Sequence, residues 1–130
     1  MPIIVIHTKP EFKDSRGGIS RIIDTSKLTF QSVLRITSKK GTVRSNHYHK
    51  KDSHYLYVES GKCEYSEKPL RKKNATIETV TLVPGDVVLS KPNIIHAVKF
   101  LKDSVLYAFT TEKRNQDVYE KDTVRITIIE

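Results

Sequence analysis

From residue 30 onward the apolar side chains come in short runs rich in Val, Ile, Tyr and Thr, with polar residues between them. Period-two alternation of this kind marks strands with one buried face, and no window keeps a 3.6-residue period long enough to specify a helix. The pattern predicts strands over 31–38, 42–49, 54–60, 77–83, 86–90, 104–111 and 124–129. Turn formers punctuate them at Lys40-Gly41, Ser60-Gly61, Pro84-Gly85 and Lys91-Pro92-Asn93, where Gly and Asn tolerate positive φ and Pro presets a bend. Segment 67–75 is polar and basic and reads as an exposed loop. Many short strands with Gly and Pro turns predict an all-β sandwich or barrel with almost no helix.

Composition narrows the function classes. A chain of 130 residues fits one domain over 1–130, and 37% apolar with 29% charged residues is the balance of a globular protein. The net charge of +8 raises nucleic acid as a partner, but the clusters Lys39-Lys40, Lys50-Lys51 and Arg71-Lys72-Lys73 are not interleaved with aromatics. No nucleic acid is expected; a dispersed positive field suits an anionic small-molecule substrate. Cys63 is the only cysteine and reads as a small buried hydrophobe. With no disulfide, no run of about 20 apolar residues and no basic leader before residues 3–6, the expectation is a cytoplasmic protein without a membrane partner.

The chemistry concentrates in the histidines. His47, His49 and His54 fall within eight residues. On a strand, His47 and His49 share one face, and on the next strand His54 shares a face with Leu56 and Val58, so a common interior would receive all three imidazoles. Converging neutral imidazoles suit Zn, Fe, Ni, Cu or Mn and not Mg or Ca. Arg44, three residues before His47, lies on the opposite face of an unbroken strand. His7 stands in the N-terminal apolar strand without an evident partner, and Asp86 reads as a turn-capping carboxylate. There is no Gly-rich phosphate loop, no G-x-S-x-G and no paired-carboxylate spacing.

Gly41, His47, His49, His54 and Gly61 resemble the first cupin motif, G-x5-H-x-H-x4-E-x6-G, at every interval, with His54 in place of the usual Glu. Gly85 to His96 keeps the glycine-to-histidine separation of the second motif, with Ile94 replacing its internal Gly. The resemblance covers about residues 30 to 110 and implies a single-domain cupin, an RmlC-like jelly-roll β-barrel. It implies a divalent transition metal held by His47, His49, His54 and His96.

Phe12-Lys13-Asp14-Ser15-Arg16-Gly17 further resembles the F-x-D-x-R-G segment of the dTDP-4-dehydrorhamnose 3,5-epimerases and related nucleotide-sugar ketoisomerases, themselves cupins. Arg44-Ser45-Asn46-His47-Tyr48 is similar to their R-G-x-H-[YF] run, and Pro92 to Tyr107 to their P-x-x-x-x-H…Y stretch. This resemblance implies His47 as catalytic base, Tyr107 as the acid that protonates the enolate, and Phe12, Arg16, Arg21 and Arg44 as substrate-binding residues, the arginines on phosphate oxygens. Those enzymes need no metal, so His47 stands open as base or ligand.

Three functions follow: an epimerase or isomerase of nucleotide sugars in surface-polysaccharide synthesis, a histidine-liganded Fe(II) dioxygenase, or a non-catalytic cupin that binds a small ligand. A homodimer is also expected, with residues 3–6 or 124–129 pairing across subunits to cover an exposed sheet edge.

Overall fold

In the computed structural model, residues 3–70 and 74–130 are described; Arg71, Lys72 and Lys73 lie outside them. Two five-stranded antiparallel sheets face each other. The first is built, in spatial order, from β1 (Ile4–His7), β9 (Asp86–Ser90), β6 (His54–Ser60), β11 (Ser104–Thr110) and β4 (Ser32–Ser38). The second is built from β12 (Thr123–Arg125), β5 (Val43–His49), β10 (Ile94–Phe100), β7 (Cys63–Pro69) and β8 (Glu78–Leu82). This is the all-β jelly-roll architecture that the strand spacing and the cupin motifs imply. A two-stranded hairpin, β2 (Pro10–Asp14) with β3 (Gly17–Ser20), stands apart from both sheets.

Alternation decides what is inside. Along β11 the residues Ser104, Leu106, Ala108 and Thr110 are buried, while Val105, Tyr107 and Phe109 between them are only half-buried. β6 likewise turns His54, Leu56 and Val58 inward. These join Cys63, Tyr65, Val98 and Phe100 in the core between the sheets, and each large apolar side chain fully buried there contributes about 1.5–3 kcal/mol. Cys63 is fully buried, and burial together with the nearby Asp86 charge pushes its thiol up to about 12. An inert hydrophobe is what such a thiol is. The four sequence-predicted turns carry positive φ at Gly41, Gly61, Gly85 and Asn93.

The structure departs from the sequence expectations in several places, the strands β2, β3, β7 and β10 among them. Segment 67–75 is not wholly a loop: Glu67 and Lys68 belong to β7, and Glu67 is buried. A short helix, α1 (Gln116–Asp122), precedes β12; Asn115 caps it by accepting from the Val118 amide at 3.0 Å. The segments expected to pair across subunits form the edge strands β1 and β12, which pair within the chain on one side, with β9 and β5. His7, expected to lack a partner, lies 2.6 Å from Asp86, whose other oxygen accepts from the Val83 amide at the turn.

Candidate functional site

Three strands deliver the four histidines to one place. His47 and His49 come from β5, His54 from β6 and His96 from β10, and each is at most 8% exposed. Ring centroids lie 4.6 Å apart for His47 and His49, 4.7 Å for His47 and His96, and 5.3 Å for His54 and His96. The cluster lines one side of a cavity of about 220 Å³. Leu34, Ile36, Leu56, Leu106 and Ala108 supply its apolar side.

Outer partners orient three of the rings. His54 Nδ1 lies 3.0 Å from Asp52 Oδ2. His49 Nδ1 bonds Thr123 Oγ1 at 3.2 Å and stands 3.4 Å from Asp122 Oδ2. His96 Nδ1 faces Ser90 Oγ at 3.3 Å and the Ile94 carbonyl at 3.4 Å. Both carboxylates are themselves anchored by backbone amides. Asp122 accepts from the Lys51 and Asp52 amides at 2.7 and 3.2 Å, and Asp52 from those of Thr111 and Glu112 at 3.0 and 3.2 Å. A carboxylate held this way fixes an imidazole in the Nδ1–H form and leaves the Nε2 lone pair for the cavity.

The electrostatics disfavour protonation of His47, His49 and His96. Burial, then the charges of His49 and His54 and of Arg125 and Arg114, lowers His47 to about 3. His49 is lowered mainly by burial and by His54, against the opposing pull of Asp52 and Asp122. His96 is held well below its ordinary range by burial and the other three rings. Burial raises Asp52, but the hydrogen bond and charge of His54, the charge of His49 and the Glu112 amide outweigh it and leave the carboxyl below its ordinary value.

The donor set fits a transition metal by its chemistry. One candidate donor atom each from His47, His49 and His96 lie within 4.8 Å of one another, as do those from His49, Asp52 and His54. His96 Nε2 is buried without a hydrogen-bond partner, so a lone pair points at the place a cation would take.

Other sequence-predicted residues separate into those at the cavity and those away from it. Arg44 lines it, contrary to strand parity. The register of β5 against β10 runs His47↔His96 and then Ser45↔Ala97, so Asn46 is an extra residue, and both Ser45 (φ 72°) and Asn46 (φ 56°) are left-handed. This bulge returns Arg44, opposite Val98, to the His47 face. The Asn46 side chain then receives the Ile128 and Ile129 amides at 2.9 and 3.1 Å, tying the C-terminal segment to the bulge. The Arg44 guanidinium is steered by bonds to Ser38 Oγ and the Thr37 carbonyl.

Tyr107 is a correction. It sits on the outer face of β11 between Arg35 and Tyr57, because its strand neighbours Leu106 and Ala108 take the inner positions. Phe12, Arg16 and Arg21 belong to the exposed hairpin and the residue after it, away from this chain's cavity. Arg16 pairs with Asp14, and Arg21 with Glu11 and Asp24.

The tyrosine at the cavity is Tyr119 of α1, which sequence reasoning passed over. Its ring centroid is 5.9 Å from that of His49 and 6.3 Å from that of His47, and the Arg114 guanidinium stacks on it at 3.6 Å. The available signal was Asn115 as an N-cap with Asp117 in the first turn, a helix start four residues before the tyrosine. Asp52 and Asp122 were also missed; Asp122 meets His49 only through the fold, whereas Asp52 stands two residues before His54 and its spacing was the available signal.

No protein-family model and no curated protein matches the chain by sequence. Solved structures do match its fold. A double mutant of the QdtA 3,4-ketoisomerase from Thermoanaerobacterium thermosaccharolyticum, in complex with TDP, is 23% identical with a TM-score of 0.74, over 95% of this chain and 86% of that one. A 3,4-ketoisomerase from Helicobacter canadensis is 18% identical with a TM-score of 0.77, over 96% and 91%. The dTDP-4-dehydrorhamnose 3,5-epimerase from Sulfolobus tokodaii is 20% identical with a TM-score of 0.78, over 97% and 77%. Among the described residues no helix is long and apolar enough to cross a membrane.

Proposed function

We propose that this protein binds a nucleotide-linked keto sugar and moves a proton at a carbon next to the ketone, as an isomerase or epimerase. The observation that carries the proposal is the His49–Asp122 pair at a cavity of hexose size. A general base must present a lone pair and be stabilised once it is protonated, and a buried carboxylate behind Nδ1 does both. His47, the base implied by the sequence resemblance, has no carboxylate within ion-pair distance among the described residues; of the two histidines that have one, His49 and His54, His49 is the one whose ring faces Tyr119, at 5.9 Å, so the role passes to His49. His49 takes the proton and the C–H electron pair moves onto the carbonyl oxygen. Returning a proton to the same carbon from the other face gives the epimer; for the isomeric ketone, a proton returns to the former carbonyl carbon while the hydroxyl proton of the neighbouring carbon passes to the former carbonyl oxygen, so that the C=O forms at the neighbouring carbon. The Tyr119 hydroxyl is the proton donor in this reading.

The cavity volume of about 220 Å³ lies below the range for whole drug-sized ligands. The sugar therefore enters, and the diphosphate stays at the rim with Arg44, Lys113 and Arg114, all of which line the site. The fold shared with TDP-sugar ketoisomerases and epimerases supports the same substrate class.

A second reading is favoured by the unpartnered His96 Nε2. His47, His49, His54 and His96 would hold a divalent transition metal, Fe, Ni, Zn, Mn or Cu, which supplies a Lewis acid for the ketone oxygen. The readings exclude each other at His49, because a lone pair given to a metal cannot take a proton. A homodimer goes with either reading, supported by the exposed Phe12 and Ile19 of the hairpin; light scattering would show a strict monomer if this is wrong.

The deciding experiment incubates the protein with dTDP-4-keto-6-deoxyglucose in deuterated water and follows carbon-bound deuterium by NMR. Exchange that disappears in His49→Ala is the expected result. Neither binding nor exchange with this and related keto sugars overturns the proposal, and oxygen uptake with a diketone or thiol after Fe(II) loading would replace it with an oxygenase. Elemental analysis of tag-free protein, compared with His49→Ala, separates the two readings.

A further inference from the structure

Segment 111–122 leaves the first sheet at the end of β11 and enters the second at β12. On the way Glu112, Lys113, Arg114, Val118 and Tyr119 line the cavity. Both ends of the segment are pinned to the short 50–53 loop. At the first end the Thr111 amide donates to the Ser53 carbonyl and the Ser53 amide to Thr111 Oγ1, each at 3.0 Å. Asp52 Oδ1 also takes the Thr111 and Glu112 amides there. At the second end the Lys50 amide donates to the Asp122 carbonyl at 2.9 Å, and the Lys51 and Asp52 amides to its carboxylate.

The middle is held differently. Residues 113–117 are exposed. The Arg114 amide donates to Ser32 Oγ at 3.2 Å, on the edge strand β4, and an exposed ion pair joins Glu120 to Arg125. Within itself the segment is braced: Asn115 caps α1, Gln116 donates to Glu120 at 3.1 Å, and the Arg114 guanidinium lies on the Tyr119 ring. A unit braced internally, fixed at two ends and lightly tied between them turns as one body about those ends. Something has to move. Each cavity histidine is at most 8% exposed and His96 Nε2 is buried, so a sugar ring cannot touch groups that water barely reaches.

We propose that residues 113–121 are a lid over the histidine cavity, hinged at Thr111 and Asp122 on the 50–53 loop and latched at Ser32. Opening lifts Tyr119 and Arg114 away together, and closing returns both. Under the isomerase reading, on which this one consequence rests, the proton donor and a diphosphate-binding cation meet the sugar only in the closed form. The lid itself stands on the geometry of the segment.

The test labels histidines with diethyl pyrocarbonate in chelator-treated protein without substrate, each site read by mass spectrometry. His7, whose side chain is 76% exposed, reports on the reagent. The four cavity histidines are expected to react at least about tenfold more slowly than His7, at a rate that low urea leaves unchanged, because a local opening exposes little surface. Ser32→Ala, which removes the latch, should speed the cavity histidines about threefold or more and leave His7 as it was. Cavity histidines as reactive as His7 overturn the inference, since no lid would then be needed. Labelling that rises with urea as steeply as global unfolding also overturns it, whether or not the variant folds, and so does a Ser32→Ala rate equal to wild type. The deuterium experiment judges the reaction separately: protein that passes this test and fails that one has the lid without the proposed chemistry.

Discussion

His49 Nδ1 lies 3.4 Å from Asp122 Oδ2, and the same carboxylate oxygen accepts the Asp52 amide at 3.2 Å. The last residue of α1 thus reaches both the base and the loop that carries the second carboxylate. Asp52 repeats the arrangement with His54 at 3.0 Å. Asp122→Asn keeps the shape and removes the charge that stabilises a protonated His49. Deuterium exchange into the keto sugar is expected to fall about 10²-fold or more, with the thermal midpoint little changed. Exchange within a factor of two of wild type would return the base role to another histidine.

Acid should destabilise the fold in a window set by the histidines. His47 is lowered to about 3, while His49 and His96 are also lowered; in the unfolded chain each returns to about 6.5. As the pH falls below that value the unfolded state binds protons first. Stability is therefore full above pH ~6.5 and declines toward pH ~3, by about 1.4 kcal/mol per pH unit for each histidine the fold keeps neutral. Below about 3, His47 is protonated in both states and adds no further slope. Urea unfolding at pH 7.5, 6 and 5 measures this, and His47→Gln should flatten the dependence. Equal stability at all three values would contradict the disfavoured protonation of these histidines.

The two tyrosines separate by position. Tyr119→Phe keeps the stack under Arg114 and removes only the hydroxyl at the cavity. Turnover is expected to fall on the order of 10²-fold, the scale of a lost general acid. Tyr107→Phe, on the outer face, should leave turnover within about a factor of two and stability within about 0.5 kcal/mol. The opposite pattern would place Tyr107 in the site despite its strand parity.

Arg44 carries a prediction about the nucleotide. Loss of a hydrogen bond to a charged group costs roughly 1.5–3 kcal/mol, so Arg44→Ala should weaken TDP binding about tenfold or more. Arg35→Ala, on the outer face opposite Tyr107, should leave it unchanged. Isothermal titration decides, and equal affinities for both variants would move the diphosphate away from the Arg44 rim.

Gly61 offers a test of the fold. Its φ is +93°, and a Cβ there would meet Ser104 Oγ, with the Asp103 carbonyl oxygen at 2.5 Å and Ser104 Cα at 2.6 Å. Gly61→Ala should cost at least about 2 kcal/mol in urea unfolding, from overpacking and left-handed strain together. A cost under about 0.5 kcal/mol would mean the turn relaxes freely.

The sequence by itself determined most strands of the two sheets, though not β7 or β10, the turns and the gathering of His47, His49 and His54, because alternation and positive-φ residues are local properties that the chain carries wherever it folds. His96 came from motif spacing, and the structure brings its ring to the same cluster. Local parity holds only while the register is unbroken. The left-handed pair Ser45 and Asn46 adds one residue to β5 and turns Arg44 inward, a change that leaves the hydrophobic pattern untouched. Tertiary structure alone decided the rest. Asp122 and Tyr119 reach the cavity because α1 folds back over it before β12 joins β5, and Tyr107 leaves it because Leu106 and Ala108 fill the inner positions of β11. That Asp122 faces His49 depends on contacts between elements far apart in the chain. No periodicity encodes such contacts, since they form only when the two sheets close on each other.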